Sequence, residues 1–232
     1  LNGDDVSSKL KILTSLAFQT YINKKNINIE GINSIDLNDI ENANILGYKI
    51  KLLGVAELTN GKIVQRVHPC LIRNSSYIAN IDDVLNAVIV DSEPLGQTVM
   101  QGEGAGAGAT TSALVSDVCS ILRGNIKFPF VISDKQRKMA AFEKISYKKF
   151  SAYLRFDVED KHGVLSNITS IMAKNKVSIN RLLQNPIKSK NHSSIIIITH
   201  FANDLSLKKA LSQLAKKNYL IKKPKLIRIE KI

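Results

Sequence analysis

Two hydrophobic periods alternate along the chain. Val6, Leu10, Leu13, Leu16, Ala17 and Tyr21 recur at steps of three and four, which predicts a helix over 5–23 with these residues on one face. Asp4 or Asp5 is its expected N-cap. "DLNDIENANILG" predicts a second, short helix that starts at a capping Asp36 and stops at Gly47. "YKIKLLGVAELTNGKIVQRVHPCLI" predicts two strands joined at Asn60-Gly61; both residues accept positive φ, as a type I′ turn requires. "NAVIVDSEPLGQTVMQG" predicts two more strands around a Pro-containing turn, and "ATTSALVSDVCSILRG" a helix ending at Gly124.

Beyond residue 150 the pattern is cleaner. "SAYLRFDVED" reads as a strand, "KHG" as a turn, and "VLSNITSIMAKN" as a helix with Val164, Ile168, Ile171 and Met172 on one face. "KVSINRLLQN" and "SSIIIITHF" are strands, "DLSLKKALSQLAKKN" a helix capped by Asp204, and "YLIKKPKLIRIEKI" a last strand. The order βαββαβ predicts a ferredoxin-like unit, with its helices on one face of an antiparallel sheet and Ile195–Ile198 in a central strand. Residues 124–150 show no sustained period and read as a connection with a short helix at 134–144. The predicted class is α+β. A mixed-sheet unit with helices on one face occupies 1–123, a linker 124–150, and the ferredoxin-like unit 151–232.

Composition narrows the picture without redirecting it. The 232 residues, 44% hydrophobic and 23% charged, suit one large or two modest soluble domains. The aliphatic run Ile195–Ile198 falls far short of the roughly 20 apolar residues that span a bilayer. Cys70 and Cys119 lack the spacing of a metal or disulfide framework, which suits a reducing cytosol. The start at Leu1, with no charged n-region and apolar stretch, argues against a secretory signal and reads as that of a fragment. The net charge of +13 raises the question of nucleic acid. Residues 1–123 carry −3, 124–150 carry +5 and 151–232 carry +11, mostly as Lys, which is the pattern of a solvated surface. RNA-binding βαββαβ domains stack bases on strand aromatics, whereas "SSIIIITHF" is aliphatic, so RNA is not the expected partner.

Four stretches could carry chemistry. Asp5 and Lys9 stand four residues apart, on one face of a helix. By pattern alone they form a surface ion pair worth a few tenths of a kcal/mol. The functional alternative has the carboxylate hold a substrate ammonium and the amine pass a proton. Gly104, Gly106 and Gly108 in "GEGAGAGA" precede a helix, where bare backbone N–H groups can meet a phosphate or carboxamide. They fit G-x-G-x-x-A, but no acidic residue ends a following strand, so this is not the dinucleotide fingerprint. A tight strand-to-helix turn remains the plainer reading. His68 in "RVHPCLI" is more often a packed residue than a catalyst. "DVEDKHGVLSNI" places a loop at a helix N-terminus, which is either an ordinary connection or a seat for a small carboxylate. No zinc, P-loop or G-x-S-x-G pattern occurs.

"LNGDDVSSKLKIL", "LGYKIKLLGVAE", "RVHPCLI", "NAVIV" and "GEGAGAGATTSALVSD" follow one another in an order and spacing that resemble the catalytic part of homoserine dehydrogenase. Residues 151–232, with "DKHGVL" after the first strand, resemble an ACT regulatory domain. The resemblance implies an NAD- or NADP-dependent cytoplasmic oxidoreductase of threonine, methionine and isoleucine biosynthesis. It interconverts L-aspartate 4-semialdehyde and L-homoserine. It implies Lys9 as the acid/base, Asp5 as the ligand of the substrate's amino group, and Gly104, Gly106 and Gly108 beside the nicotinamide. The ACT likeness implies an amino-acid effector, L-threonine first, held by Asp160, His162, Gly163, Val164, Leu165 and Asn180. It also implies a dimer or tetramer. The family's Rossmann domain and its monovalent-cation site would lie before Leu1, so no metal site is expected in these residues and the chain alone should not turn over. The alternative is a non-catalytic, amino-acid-binding ACT regulatory protein.

Overall fold

A computed structural model describes residues 2–124, 132–133, 135–187 and 192–232. In chain order its elements are α1 (Asp4–Phe18), β1 (Thr20–Tyr21), β2 (Ile27–Ile29), α2 (Leu37–Ile45), β3 (Tyr48–Thr59), β4 (Lys62–Arg73), β5 (Leu85–Ser92), β6 (Gly96–Glu103) and α3 (Ala107–Leu122). There follow β7 (Lys138–Met139), β8 (Ala141–Phe142), β9 (Lys149–Glu159), α4 (Val164–Lys174), β10 (Ile179–Ile187), β11 (His192–Thr199), β12 (Ala202–Asn203), α5 (Asp204–Leu214) and β13 (Lys225–Ile229).

The last strands form the ferredoxin-like order β10-β11-β9-β13, all antiparallel. Alternation sends Leu154, Phe156, Val158, Ile195 and Ile197 to one face. There they meet Ile168 and Met172 of α4 and Leu207 and Leu214 of α5. The opposite face carries Tyr153, Ile196, Ile198, Ile227 and Ile229, and it is covered by Ala43 of α2 and Leu46. Ile195–Ile198 therefore face two cores, one built within the second half and one shared with the first.

One nine-stranded sheet runs through both halves. β3 pairs with β4 along its whole length through the Asn60–Gly61 turn, where φ is 51° and 71°. The other edge of β4 is shared in series, always in parallel: β8 at Lys62–Ile63, β2 at Gln65–Val67 and β13 at Cys70–Leu71. The hairpin β5–β6 forms a separate two-stranded sheet that leads into α3.

Several expectations are corrected. The first helix ends at Phe18, because Gln19 turns left-handed and Tyr21 joins β1. Its buried stripe is Ser7, Leu10, Thr14 and Ser15, while Leu13 and Leu16 face outward. Gly3, not Asp4 or Asp5, is the N-cap, and no side chain caps it. Gly54 lets α1 approach β3, since a Cβ there would stand 2.9 Å from Val6 Cγ1. The helix expected at 134–144 is replaced by β7, paired with β1, and β8, paired with β4; Asp134 lies outside the described residues, as do 125–131 of the expected connection. Asp204 opens α5 as its first helical residue and Asn203 is the cap, because the Asp204 carboxylate is turned inward to Arg228. Asp36 and Gly47 bound α2 as expected, Asp36 forming a reciprocal capping box with Asp39.

Candidate functional site

The first turns of α1 hold Asp5 and Lys9 side by side, 2.9 Å apart. Their side chains remain 77% and 59% exposed, so the pair is presented rather than buried. Asp4 is drawn away to Lys24, also at 2.9 Å. On the same face follow Ile12, Leu13 and Leu16, all exposed. The acid–amine pair thus heads an apolar stripe pointing off the molecule. The inner face of α1 is fixed by polar contacts: Gln65 Nε2 donates to Thr14 Oγ1 (2.8 Å), and Thr14 donates to the Leu10 carbonyl (2.7 Å).

The glycines lie elsewhere, where β6 passes into α3. Gly104, just past β6, lies against the exposed Asn86 amide: a Cβ there would stand 1.5 Å from Asn86 Nδ2, so a larger residue would have to turn that side chain aside. Gly106, at φ 110°, is the N-cap of α3, and among the described residues no atom beyond the neighbouring backbone lies within 4 Å of where its Cβ or that of Gly108 would stand. This leaves bare backbone N–H groups at a helix start, open to close approach by a polar group. α1 packs on the large sheet, whereas the glycines extend from the β5–β6 hairpin. In the other half, Asp160, His162 and Gly163 are exposed in the loop before α4, as is Asn180 on β10; Val164 is buried and Leu165 half-buried.

The strongest electrostatics sit at the seam between the halves. On the α4/α5 face, Arg66 of β4 grips Glu230 through Nε (2.7 Å) and an Nη (2.9 Å) and reaches Glu57 of β3 at 2.5 Å. Lys148 pairs with the other Glu57 oxygen. His68, fully buried, stands 3.2 Å from Glu230. Arg228 of β13 holds Glu30 with two bonds (2.7 and 3.1 Å) and Asp204 at 2.8 Å. Both guanidinium groups stand over the Phe150 ring, 5.4 and 5.5 Å from its centroid. On the opposite face Arg155 meets Asp36 (2.5 Å), Asp39 (2.8 Å) and Asp157 (3.3 Å).

Burial would raise the Glu230 carboxyl, but hydrogen bonds from His68 and Arg66 outweigh it and hold it at about 2. Burial does prevail at Asp39, which is raised, and at the Cys70 thiol, which is pushed well up. His68, Cys70 and Glu230 could geometrically gather a metal ion. Both Glu230 oxygens are already taken by Arg66, and Arg228 stands close by, so a cation would have to displace guanidinium contacts. His68 is a packed, hydrogen-bonded residue of this cluster.

Spacing alone did not single out Glu30, Arg66, Arg155, Arg228 or Glu230. A signal was there: each arginine interrupts an apolar alternation, as in "YLRFDV" and "LIRIE", and a charge inside a central strand needs a buried partner.

Comparison with known proteins follows these two halves. Residues 152–218 match the family model of the ACT domain, which defines the class of the ferredoxin-like half. Residues 1–119 match the homoserine dehydrogenase family model, and the chain belongs to that family. It is 36% identical over 231 residues to a homoserine dehydrogenase of Helicobacter pylori, covering 99% of this chain and 54% of that protein. It is 34% identical to one of Neisseria gonorrhoeae, covering 100% and 55%. The crystal structure of a homoserine dehydrogenase from Thiobacillus denitrificans superposes with a TM-score of 0.88 at 31% identity, over 99% of this chain and 53% of that one. The chain spans about half the length of the curated relatives it matches.

Proposed function

We propose that this chain is the substrate-binding and regulatory half of an NAD(P)-dependent homoserine dehydrogenase. The observation that carries the proposal is the presented Asp5–Lys9 pair at the head of α1, in the half that matches the family. In this reading Asp5 receives the substrate ammonium, and Lys9, one turn on, gives a proton to the aldehyde oxygen as negative charge develops there. The bound cofactor supplies the hydride that adds to the aldehyde carbon. Gly104, Gly106 and Gly108 offer it a bare backbone edge at the start of α3. The longer relatives leave room for a nucleotide-binding half that covers α1 and completes the site. The finer assignments belong to the same proposal. They are a substrate-binding unit over 1–123, a linker over 124–150 and an ACT unit over 151–232. They also include a cytoplasmic dimer or tetramer, and a role in making threonine, methionine and isoleucine.

Lys9→Ala in the full-length enzyme should lower kcat by about a hundredfold or more. Asp5→Asn should act chiefly on KM for homoserine. An unchanged kcat in Lys9→Ala overturns the role of Lys9. For the ACT half we propose an amino-acid effector at Asp160, His162, Gly163, Val164, Leu165 and Asn180. Calorimetric titration with L-threonine tests this; no heat at millimolar ligand counts against it.

A further inference from the structure

The seat of α1 is held from the other half of the molecule. Gly3 starts the helix at φ 85°, and a Cβ there would lie 3.0 Å from Val67 Cγ1 and 3.1 Å from Ile29 Cγ2. The head of α1 therefore rests directly on β4 and β2, with no room between. Glu30 follows Ile29 and donates its N–H to the Val67 carbonyl (2.7 Å). Its carboxylate takes both Nη groups of Arg228 at 2.7 and 3.1 Å. Arg228, 1% exposed, also fixes Asp204 at the start of α5. A second tie, Asn33 Nδ2 to Asn2 Oδ1 at 2.8 Å, joins the stretch after Glu30 to the approach of α1.

A planar guanidinium bonded to two carboxylates leaves neither free to turn. A displacement of Glu30 passes through Ile29 to Gly3. From there it reaches Asp5 and Lys9, because a helix moves as a unit over so short a span.

We propose that Glu30 and Arg228 are positioning residues for Lys9: Arg228 of the ACT half clamps Glu30, and Glu30 seats the head of the helix that carries the acid–amine pair. This rests on the proposed role of Lys9. The second clasp supplies the control. Glu57 also binds a seam arginine, Arg66, but it lies on the face of β3 away from α1.

The test compares Glu30→Gln with Glu57→Gln in the full-length enzyme, by steady-state kinetics with homoserine and by amide hydrogen exchange. Glu30→Gln should lower kcat by roughly tenfold or more and speed exchange across Ser7–Phe18, while β3 and β4 keep their protection. Glu57→Gln should leave kcat and α1 exchange near wild type. The proposal is overturned if Glu30→Gln leaves α1 exchange and kcat unchanged, or if Glu57→Gln reproduces its losses. Exchange needs no turnover, so it reports on the clamp even if Lys9→Ala proves fully active and removes the catalytic reading.

Discussion

The two halves of the molecule treat their helices in opposite ways. In the ACT half, α4 buries Val164, Ile168 and Met172, and α5 buries Leu207, Ala210 and Leu214. Each apolar stripe ends in a core. In the first half, α1 turns three hydroxyl residues, Ser7, Thr14 and Ser15, inward beside Leu10 and leaves Ile12, Leu13 and Leu16 outside. α3 buries none of its residues among those described, and exposes Leu114, Val115, Val118, Ile121 and Leu122. A contiguous apolar surface of this kind marks a face built to be covered. The half that carries the proposed chemistry is thus unfinished by itself, whereas the ACT half has finished its own core.

That contrast can be broken at three points. The largest effect belongs to the finished core. Ile168→Ala, at a fully buried position between α4 and the sheet, should cost about 2–5 kcal/mol in urea unfolding; a loss near zero would mean that the ACT core is not closed. The seam comes next. Glu230 is held at about 2 in the fold against an ordinary value of 4.5. Its contribution is therefore complete above pH 4.5 and lost as pH falls from there toward 2, because the unfolded chain takes the proton first. The urea midpoint should fall on acidification over that range, and Glu230→Gln should flatten the fall. The smallest effect belongs to the uncovered helix. Leu114→Ser should change the stability of this chain by no more than about 0.5 kcal/mol, although it removes a large apolar side chain. A greater loss would show that α3 is already packed.

Much of this architecture is legible in the alternation of side chains. The βαββαβ half is, because its strands and helices each bury one clean stripe, and a stripe is a local property. Asp36 and Gly47 bound α2 through local chemistry as well. The stripe of α1 is not legible in the same way. Its inner face mixes Val6 and Leu10 with Ser7, Thr14 and Ser15, and Thr14 is met by Gln65 from another strand, so hydrophobic periodicity counts Leu13 and Leu16 on the wrong side. The strands at 138–142 are set by partners more than 70 positions upstream, on β1 and β4, and a local helical pattern cannot compete with those ladders. Of the candidate site, the Asp5–Lys9 pairing follows from helical spacing alone. The clasp of Glu30 by Arg228 spans nearly the whole sequence and could be suspected only from an arginine out of place in an apolar strand.

The parallel join of β4 to β13 also orders events in time. Residues 70 and 71 cannot gain their neighbours at 228 and 229 until everything between has left the ribosome. Early in synthesis, β4 presents a bare backbone edge there, with Glu30 still waiting for Arg228 of β13, and Arg66, which already has Glu57, still waiting for Glu230 just beyond that strand. The sheet is closed from its middle by a late arrival, and such long-range pairing is slow to form. During that interval the seam is where a nascent chain of this protein is most exposed to wrong pairing, and where a chaperone would have most to protect.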